Sequence, residues 1–257
     1  MYENEGRAVT RFRGISLMIT GEGPTDYGWQ DFETKQWHEG SVARLVRSCA
    51  TRSNLNVSFT FAHKDQVQSQ KLGRHLQGLK GKAIPAKRFQ MFMRSKKVAA
   101  GIFYCDADRD VCKSNTEAHA KERFNKVRQE IIDGTREDSA VGTVVPMVAL
   151  RMIESWLLSD QKAFETMFGS QNVLKIKSDL PSKPEYIWGR KDDPQSNYPK
   201  NLFVRILKSL NSGNEPTRDD YAMVAENTDI DILAQKCPVS FRTFVDDFEK
   251  LVVSANR

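Results

Sequence analysis

The 257-residue sequence predicts an α/β fold in which a mostly parallel sheet is flanked by helices and followed by a C-terminal helical extension. Two observations predict this fold. Short, β-branched apolar runs alternate with segments of helical period over residues 15–168. A loop rich in Pro, Asp, Lys and Asn then occupies residues 178–200, and only helical patterns follow it. We therefore expect a main domain over residues 14–168, with residues 169–257 forming an extension packed on it.

The first half of the chain alternates between strand and helix patterns. Residues 15–20 are a short apolar run bounded by glycine, which predicts a buried strand. Apolar residues recur at helical spacing over residues 41–52, which predicts an amphipathic helix. The same reasoning predicts strands at residues 56–62 and 98–105 and helices at residues 66–79 and 86–97.

The second half opens with the clearest helix, over residues 116–133, because Thr116 can cap its first turn. Residues 141–149 predict a fourth strand, with Pro146 expected at its end or at a kink. Apolar spacing predicts one helix over residues 152–168. In the extension, helices are predicted at residues 201–211, 217–225 and 238–253.

The positive charge of the chain is concentrated in one segment. The net charge is +6, and residues 63–97 hold ten Lys or Arg against a single acid, Asp65. Because phosphate neutralisation dominates nucleic-acid affinity, this basic segment indicates a polyanionic partner. A solvated basic face or a protein-docking surface would show the same composition. The candidate nucleic-acid contacts are Lys82, Lys87, Arg88, Arg94, Lys96 and Lys97.

Several function classes find no support in the sequence. No apolar run approaches the roughly 18 residues of a membrane span, and the N-terminus lacks the pattern of a secretory signal, which predicts a cytoplasmic protein with no membrane contact. The four cysteines and four histidines show no zinc-ligand spacing. No Ser/His/Asp catalytic arrangement can be assembled from the sequence. The glycine-containing segment at residues 21–26 lacks the Lys-Ser or Lys-Thr ending of a nucleotide-binding P-loop, so intrinsic ATPase activity is not expected.

Carboxylates at the ends of two predicted strands give the strongest functional signal. Glu22 follows the first strand between two glycines, and Asp106 and Asp108 follow the third. Carboxyl ends of parallel strands share one edge of a sheet, and alternate side chains share a face, so these acids can converge. Asp26 joins them if its loop forms a helical turn. Such oxygen donors suit Mg²⁺ or Mn²⁺, and two ions about 4 Å apart would clamp a phosphodiester. Ordinary turn or capping acids are the alternative.

At these residues the sequence resembles the Toprim fold of topoisomerases, primases and overcoming-lysogenization-defect (OLD) nucleases, a Rossmann-like α/β arrangement. Those proteins carry Glu-Gly after the first strand and Asp-x-Asp after a later one, as do residues 22–23 and 106–108 here. The spacing from Glu22 to Asp26 is similar to the OLD branch. Residues 152–160 and 230–241 also resemble segments of a bacterial Toprim-like family encoded beside ATPases and associated with anti-phage defence.

The resemblance implies roles for individual residues. Glu22 would be a metal ligand or general base, Asp106 and Asp108 metal ligands, and Asp26 a ligand of a second ion. Glu154 would be a further ligand, although pairing with Arg151 or Lys162 is as consistent with the sequence. A downstream lysine would stabilise phosphate charge; Lys200 is the first candidate and Lys191 the second. Asp110 either joins the site through its loop or serves as a solvent-facing cap.

The resemblance also implies a function. We expect an Mg²⁺- or Mn²⁺-dependent nuclease, the toxic effector of an anti-phage system, kept inactive by an ATPase partner. We also expect a homodimer when the protein is active, because two copies would pair two sites for two strands. DNA and RNA, including tRNA, fit the sequence equally well. The alternatives are a non-catalytic Toprim-like sensor or docking subunit and a nucleotidyl-transferase or primase-like enzyme.

Overall fold

The computed structural model describes residues 13–71, 78–107, 116–136 and 142–255. At its centre lies a four-stranded sheet formed by β1 (Arg13–Thr20), β4 (Leu55–Phe61), β5 (Ala100–Asp106) and β6 (Thr143–Ala149). The strand order is β4-β1-β5-β6, and all three pairings are parallel. The short strands β2 (Gly28–Gln30) and β3 (Trp37–Glu39) form a separate antiparallel hairpin. The predicted α/β fold, Rossmann-like with a mostly parallel sheet, is confirmed.

Helices surround the sheet and make up the C-terminal part of the chain. The main domain contains α1 (Pro24–Tyr27), α2 (Ser41–Arg52), α3 (Lys64–Gln68), α4 (Ala83–Ser95), α5 (Glu117–Thr135), α6 (Ile153–Leu157) and α7 (Gln161–Phe168). The extension contains α8 (Ser170–Val173), α9 (Pro199–Leu210), α10 (Arg218–Asn227), α11 (Ile230–Lys236) and α12 (Phe241–Ala255). Within the described residues no helix combines the length and apolar character needed to cross a membrane.

Alternating strand residues divide the core between the two faces of the sheet. On one face, Leu17 and Ile19 share a cluster with α2 and the C-terminal helices, including Phe203 and Phe244. On the other face, Met18 packs with residues of α4 and α5. This period-two alternation is what a parallel strand covered on both faces requires. The C-terminal helices therefore complete the core of the sheet.

In the second half of the main domain the chain differs from the prediction at two elements. The helix predicted over residues 152–168 is two helices, α6 and α7. They separate because Asp160 turns its carboxylate to the backbone, accepting from Lys162 N–H at 2.9 Å and from Asp229 N–H at 2.9 Å. Pro146 was expected at a strand end or a kink, but it lies inside β6, opposite Phe103. Because β6 is an edge strand, it tolerates the backbone N–H donor that proline lacks.

Three shorter features were not predicted. The tryptophan-containing loop after Asp26 forms the β2–β3 hairpin, residues 230–236 form α11, and α4 begins three residues earlier than expected. The helix predicted over residues 66–79 is wrong over most of the described part: only α3, over Lys64–Gln68, is helical, and residues 69–71 and 78–79 are turn or irregular. Residues 72–77 lie outside the described ranges.

Candidate active site

The candidate site lies where the sheet reverses its strand order. From β1 the chain moves outward to β4 and then returns past β1 to form β5. At such a reversal the loops after the two central strands diverge to opposite faces and leave a crevice at their carboxyl ends. Glu22 follows β1 by two residues, and Asp106 is the last residue of β5. The two strand ends used in the sequence prediction are therefore neighbours.

Asp26 reaches this edge because α1 begins directly after Glu22. Its Oδ2 atom accepts from the backbone N–H of Glu22 at 3.0 Å and of Gly23 at 2.8 Å. A Cβ atom at position 21 would lie 2.9 Å from the Cβ of Asp26, so the close approach requires Gly21. A Cβ at Gly23 would meet nothing within 4 Å, so that glycine is not needed for space.

Asp106 is held at the end of β5 in a buried and negatively charged environment. The Tyr104 hydroxyl donates a hydrogen bond to its Oδ1 atom. Burial, followed by the charge of Glu22, raises the pKa of Asp106 well above its usual value, and the charges of Asp26 and Glu154 add to the effect. The negative charges of Glu22, Asp26 and Glu154 therefore lie near enough to Asp106 to disfavour its ionised form.

Asp26 and Glu154 share this environment. Burial raises the pKa of Asp26 to about 7, and the negative charges of Glu154 and Glu22 contribute to the rise. Glu154, at the start of α6, is only 8% exposed. Burial raises the pKa of Glu154, and the nearby positive charge of Lys200 opposes the rise. Of the alternatives left open for Glu154, the structure favours a place among the site acids over an ion pair with Arg151 or Lys162.

One cleft of about 370 Å³ is lined by four of the six residues predicted as catalytic or metal-binding. Asp26, Asp106, Glu154 and Lys200 all line it, together with Arg218 from the first turn of α10. We call it the acid cleft. The predicted lysine at position 200 therefore lies beside the predicted acids, on α9. Lys191 lies in the loop before α9, where its carbonyl accepts from the Asn201 amide at 3.1 Å.

Glu22 faces a second, smaller pocket on the opposite side of the sheet edge. Its Oε1 atom lies 2.7 Å from Nζ of Lys82, whose side chain is 12% exposed. Glu130 fixes the turn before α4 by accepting from the Lys82 backbone N–H at 2.8 Å. Lys82 is thus the residue of the predicted basic segment that contacts a predicted catalytic acid. Lys64 lines the same pocket of about 190 Å³.

The other predicted nucleic-acid contacts do not surround the acids. Lys87 is buried and donates to the Gln90 Oε1 atom at 3.2 Å, and Arg88 is half-buried on the next position of α4. Arg94, Lys96 and Lys97 are exposed at the end of α4, which leads into the amino end of β5. These last three cations therefore lie at the edge of the sheet opposite the acid cleft.

The carboxylates of the acid cleft are suitable ligands for a hard cation, but the described acids do not form a complete metal-binding site. Mg²⁺ and Mn²⁺ prefer carboxylate oxygens, and a bound cation would offset the burial and the neighbouring negative charge that raise the pKa values of Asp26 and Asp106. Among the described residues, no three acidic, His or Cys side chains are grouped closely enough to hold a metal ion. Asp108 and Asp110 lie outside the described residues. The carboxylates do not converge on one point, because Glu22 forms an ion pair with Lys82 and Asp26 accepts hydrogen bonds from the backbone.

Two of the segments that carry the family resemblance have structural roles. Trp156 is fully buried and its Nε1 atom donates to the Ser240 hydroxyl at 2.9 Å. That hydroxyl and the N–H groups of Val239 and Ser240 donate to the buried carboxylate of Glu185. This network fastens the start of α12 to α6, and α6 carries Glu154. Residues of these two segments therefore hold α6, and with it Glu154, in position beside the acid cleft.

The family comparison agrees with the extent of the fold. A profile of the family described as "Domain of unknown function (DUF4276)" matches residues 22–249. The chain belongs to this family. The matched region begins at Glu22 and contains every residue named above for the acid cleft. No curated protein and no solved structure matches the chain significantly.

Proposed function

We propose that this member of the family is an Mg²⁺- or Mn²⁺-dependent nuclease that hydrolyses phosphodiester bonds of nucleic acid, with a Toprim-like, OLD-type site. One observation supports it above the others. Acids from the loop after β1, from β5 and from α6 repel one another at the point where the strand order reverses, with Lys200 beside them. Several carboxyls with raised pKa values in one cleft are typical of a functional site.

The residues of the acid cleft have distinct roles in this proposal. Asp26, Asp106 and Glu154 would hold the metal together with Glu22 and Asp108, and bound metal supplies an activated water and neutralises charge on the phosphate. Asp26, whose pKa is about 7, would bind a metal only in its ionised form, so metal binding at neutral pH would release part of a proton from it. Lys200 places a positive charge where the phosphate oxygens become more negative.

One observation favours a second candidate, a non-catalytic sensor or docking subunit. Among the residues that the structure describes, no ready-made group of three ligands is present, and Glu22 is neutralised by Lys82. A protein of that kind would keep the fold and the basic surface without cleaving nucleic acid. The experiment below separates the two candidates.

The anti-phage role and the ATPase partner rest on the resemblance alone, and the homodimer rests on the pairing of two sites for two strands. We propose a cytoplasmic effector of anti-phage defence that an ATPase partner keeps inactive and that acts as a homodimer. A nuclease that attacks the nucleic acid of its own cell needs such control. Size measurement of the active species, alone and with the partner, tests the assembly.

The test of activity is cleavage of labelled RNA and DNA by wild-type protein with Mn²⁺, Mg²⁺ or EDTA. Asp106→Asn and Glu154→Gln keep the shape of each side chain and remove its charge. Asp246→Asn, an exposed change on α12, is the matched control. We expect cleavage by wild type and by the control, loss in EDTA, and at least about a 100-fold loss in each acid variant. Full activity of Asp106→Asn would reject the proposal.

A further inference from the structure

We infer that the nucleic-acid backbone crosses the carboxyl edge of the sheet, with Arg123 and Lys126 holding it on one side of Asp106 and Arg218 on the other. The inference rests on the proposed function and adds a path to it. The charge composition of the chain favoured the surface of α4 as the nucleic-acid contact. In the inferred path, cations of α5 and α10 take that role. A site with cations on both sides takes an internal segment of a polynucleotide.

Two clefts meet at Asp106. The acid cleft lies against α6, α9 and α10, and a second cleft of about 360 Å³ lies against α5. We call the second one the α5 cleft. Asp106 lines both of them. An extended chain that occupies both clefts therefore passes directly over the carboxylate at the end of β5.

The α5 cleft carries the first pair of cations. Arg123 and Lys126 both line it, and their spacing of three residues places them on one face of α5. Lys126 is exposed to solvent. Glu130 lies at the inner end of the cleft, where its carboxylate accepts from the backbone N–H of Lys82. A guanidinium and an ammonium group at this spacing suit successive phosphates of a single chain.

Arg218 provides the cation on the other side. It is the first residue of α10 and, like Asp106, lines the acid cleft. Its guanidinium lies 6.0 Å from the ring centroid of Trp29, in the β2–β3 hairpin. The hairpin follows Asp26 almost directly along the chain, so Trp29 steadies Arg218 beside the acids. Lys200 lies in the same cleft and adds to its positive charge.

The cations at the end of α4 cannot reach this path. Lys97 precedes β5 by three residues, and Asp106 ends that strand. A strand of this length spans about 20 Å, so Arg94 and Lys97 lie a full strand length from Asp106. Both are exposed, and their spacing matches that of Arg123 and Lys126. They form a control pair with the same charge and chemistry.

The test is binding measured without turnover. Fluorescence anisotropy in EDTA gives the Kd of labelled single-stranded RNA and DNA of about 20 nucleotides, longer than the 4–16 nucleotides that common single-strand sites cover. The Kd is measured over a range of salt concentrations for wild type, R123Q/K126Q, R218Q and R94Q/K97Q. The RNA and DNA arms show which sugar the site accepts. Lys126→Gln alone, an exposed change, serves if the double variant is poorly folded.

Each phosphate contact contributes about 0.7 to the slope of log K against log salt for single strands. We expect the magnitude of this negative slope to fall by about 1.4 in R123Q/K126Q and by about 0.7 in R218Q, with weaker binding in both. We expect R94Q/K97Q to match wild type. An unchanged slope in either of the first two variants overturns the path, as does an equal loss in the control pair or no binding by wild type. If the slopes change as expected but no variant or wild type cleaves with metal, the nuclease proposal fails and the path stands.

Discussion

Replacing Asp26 by Asn should stabilise the protein at neutral and alkaline pH, by an amount that grows as the pH rises. Burial raises the pKa of Asp26 from 3.8 to about 7, with the charges of Glu154 and Glu22 adding to the rise. The folded state therefore holds a proton on this carboxyl that the unfolded state releases. The resulting stability is fully present below pH 3.8 and is lost as the pH rises through about 7.

The structure gives the size of the effect. A carboxyl whose pKa is 3.8 in the unfolded chain and about 7 in the fold loses about 4 kcal/mol of folding free energy across that range. Asparagine stays neutral and avoids this loss. Its side-chain oxygen can still accept from the N–H groups of Glu22 and Gly23, and the weaker bonds cost about 1 kcal/mol at every pH.

Urea unfolding in EDTA between about pH 5 and about pH 9 measures the difference. Asp26→Asn should exceed wild type in stability by less than about 1 kcal/mol at the acid end and by about 3 kcal/mol at the alkaline end, with the increase complete once the pH has passed about 7. Asp246→Asn, on the exposed face of α12, is the matched control and should follow wild type throughout. A constant difference between Asp26→Asn and wild type at all pH values would refute the reasoning.

Two further predictions concern the support of the site. Gly101→Ala should destabilise the fold by about 1–3 kcal/mol, because the new Cβ would lie 2.6 Å from the Met93 sulfur. Urea unfolding measures the change, and an unchanged midpoint would contradict the packing of α4 on β5. Glu185→Gln should destabilise by a similar amount, since one amide oxygen cannot accept all three hydrogen bonds from residues 239 and 240; a variant as stable as wild type would show that this network does not hold α12.

The sequence was sufficient to predict where the strands end and which acids lie there. The run before Glu22 and the run before Asp106 are apolar on both faces, as a covered parallel strand must be, so their carboxyl ends could be located. The nearness of Asp26 to Glu22 followed from local spacing, which α1 realises as a helical turn. These are short-range properties of the chain.

The cations could not be placed in the same way. Charge composition favoured the segment over residues 63–97, but it does not tell which end of α4 faces the acids or that Lys87 turns inward. Arg218 was missed although Thr217 and Asp220 form a capping box that marks the start of α10. That start meets the acid cleft only through packing of distant helices, which no local pattern encodes.

The central claim is that acids from separate elements share a divalent cation at the sheet edge. Calorimetric titration of wild type with Mn²⁺ at about pH 7, repeated in buffers of different ionisation enthalpy, measures both binding and proton release. We expect binding with release of protons, because Asp26 has a pKa of about 7 and burial and neighbouring negative charge also raise the pKa of Asp106. We expect Asp106→Asn to abolish the binding and Asp246→Asn to leave it unchanged. Equal Mn²⁺ binding by Asp106→Asn and wild type, or none by wild type, would contradict the account.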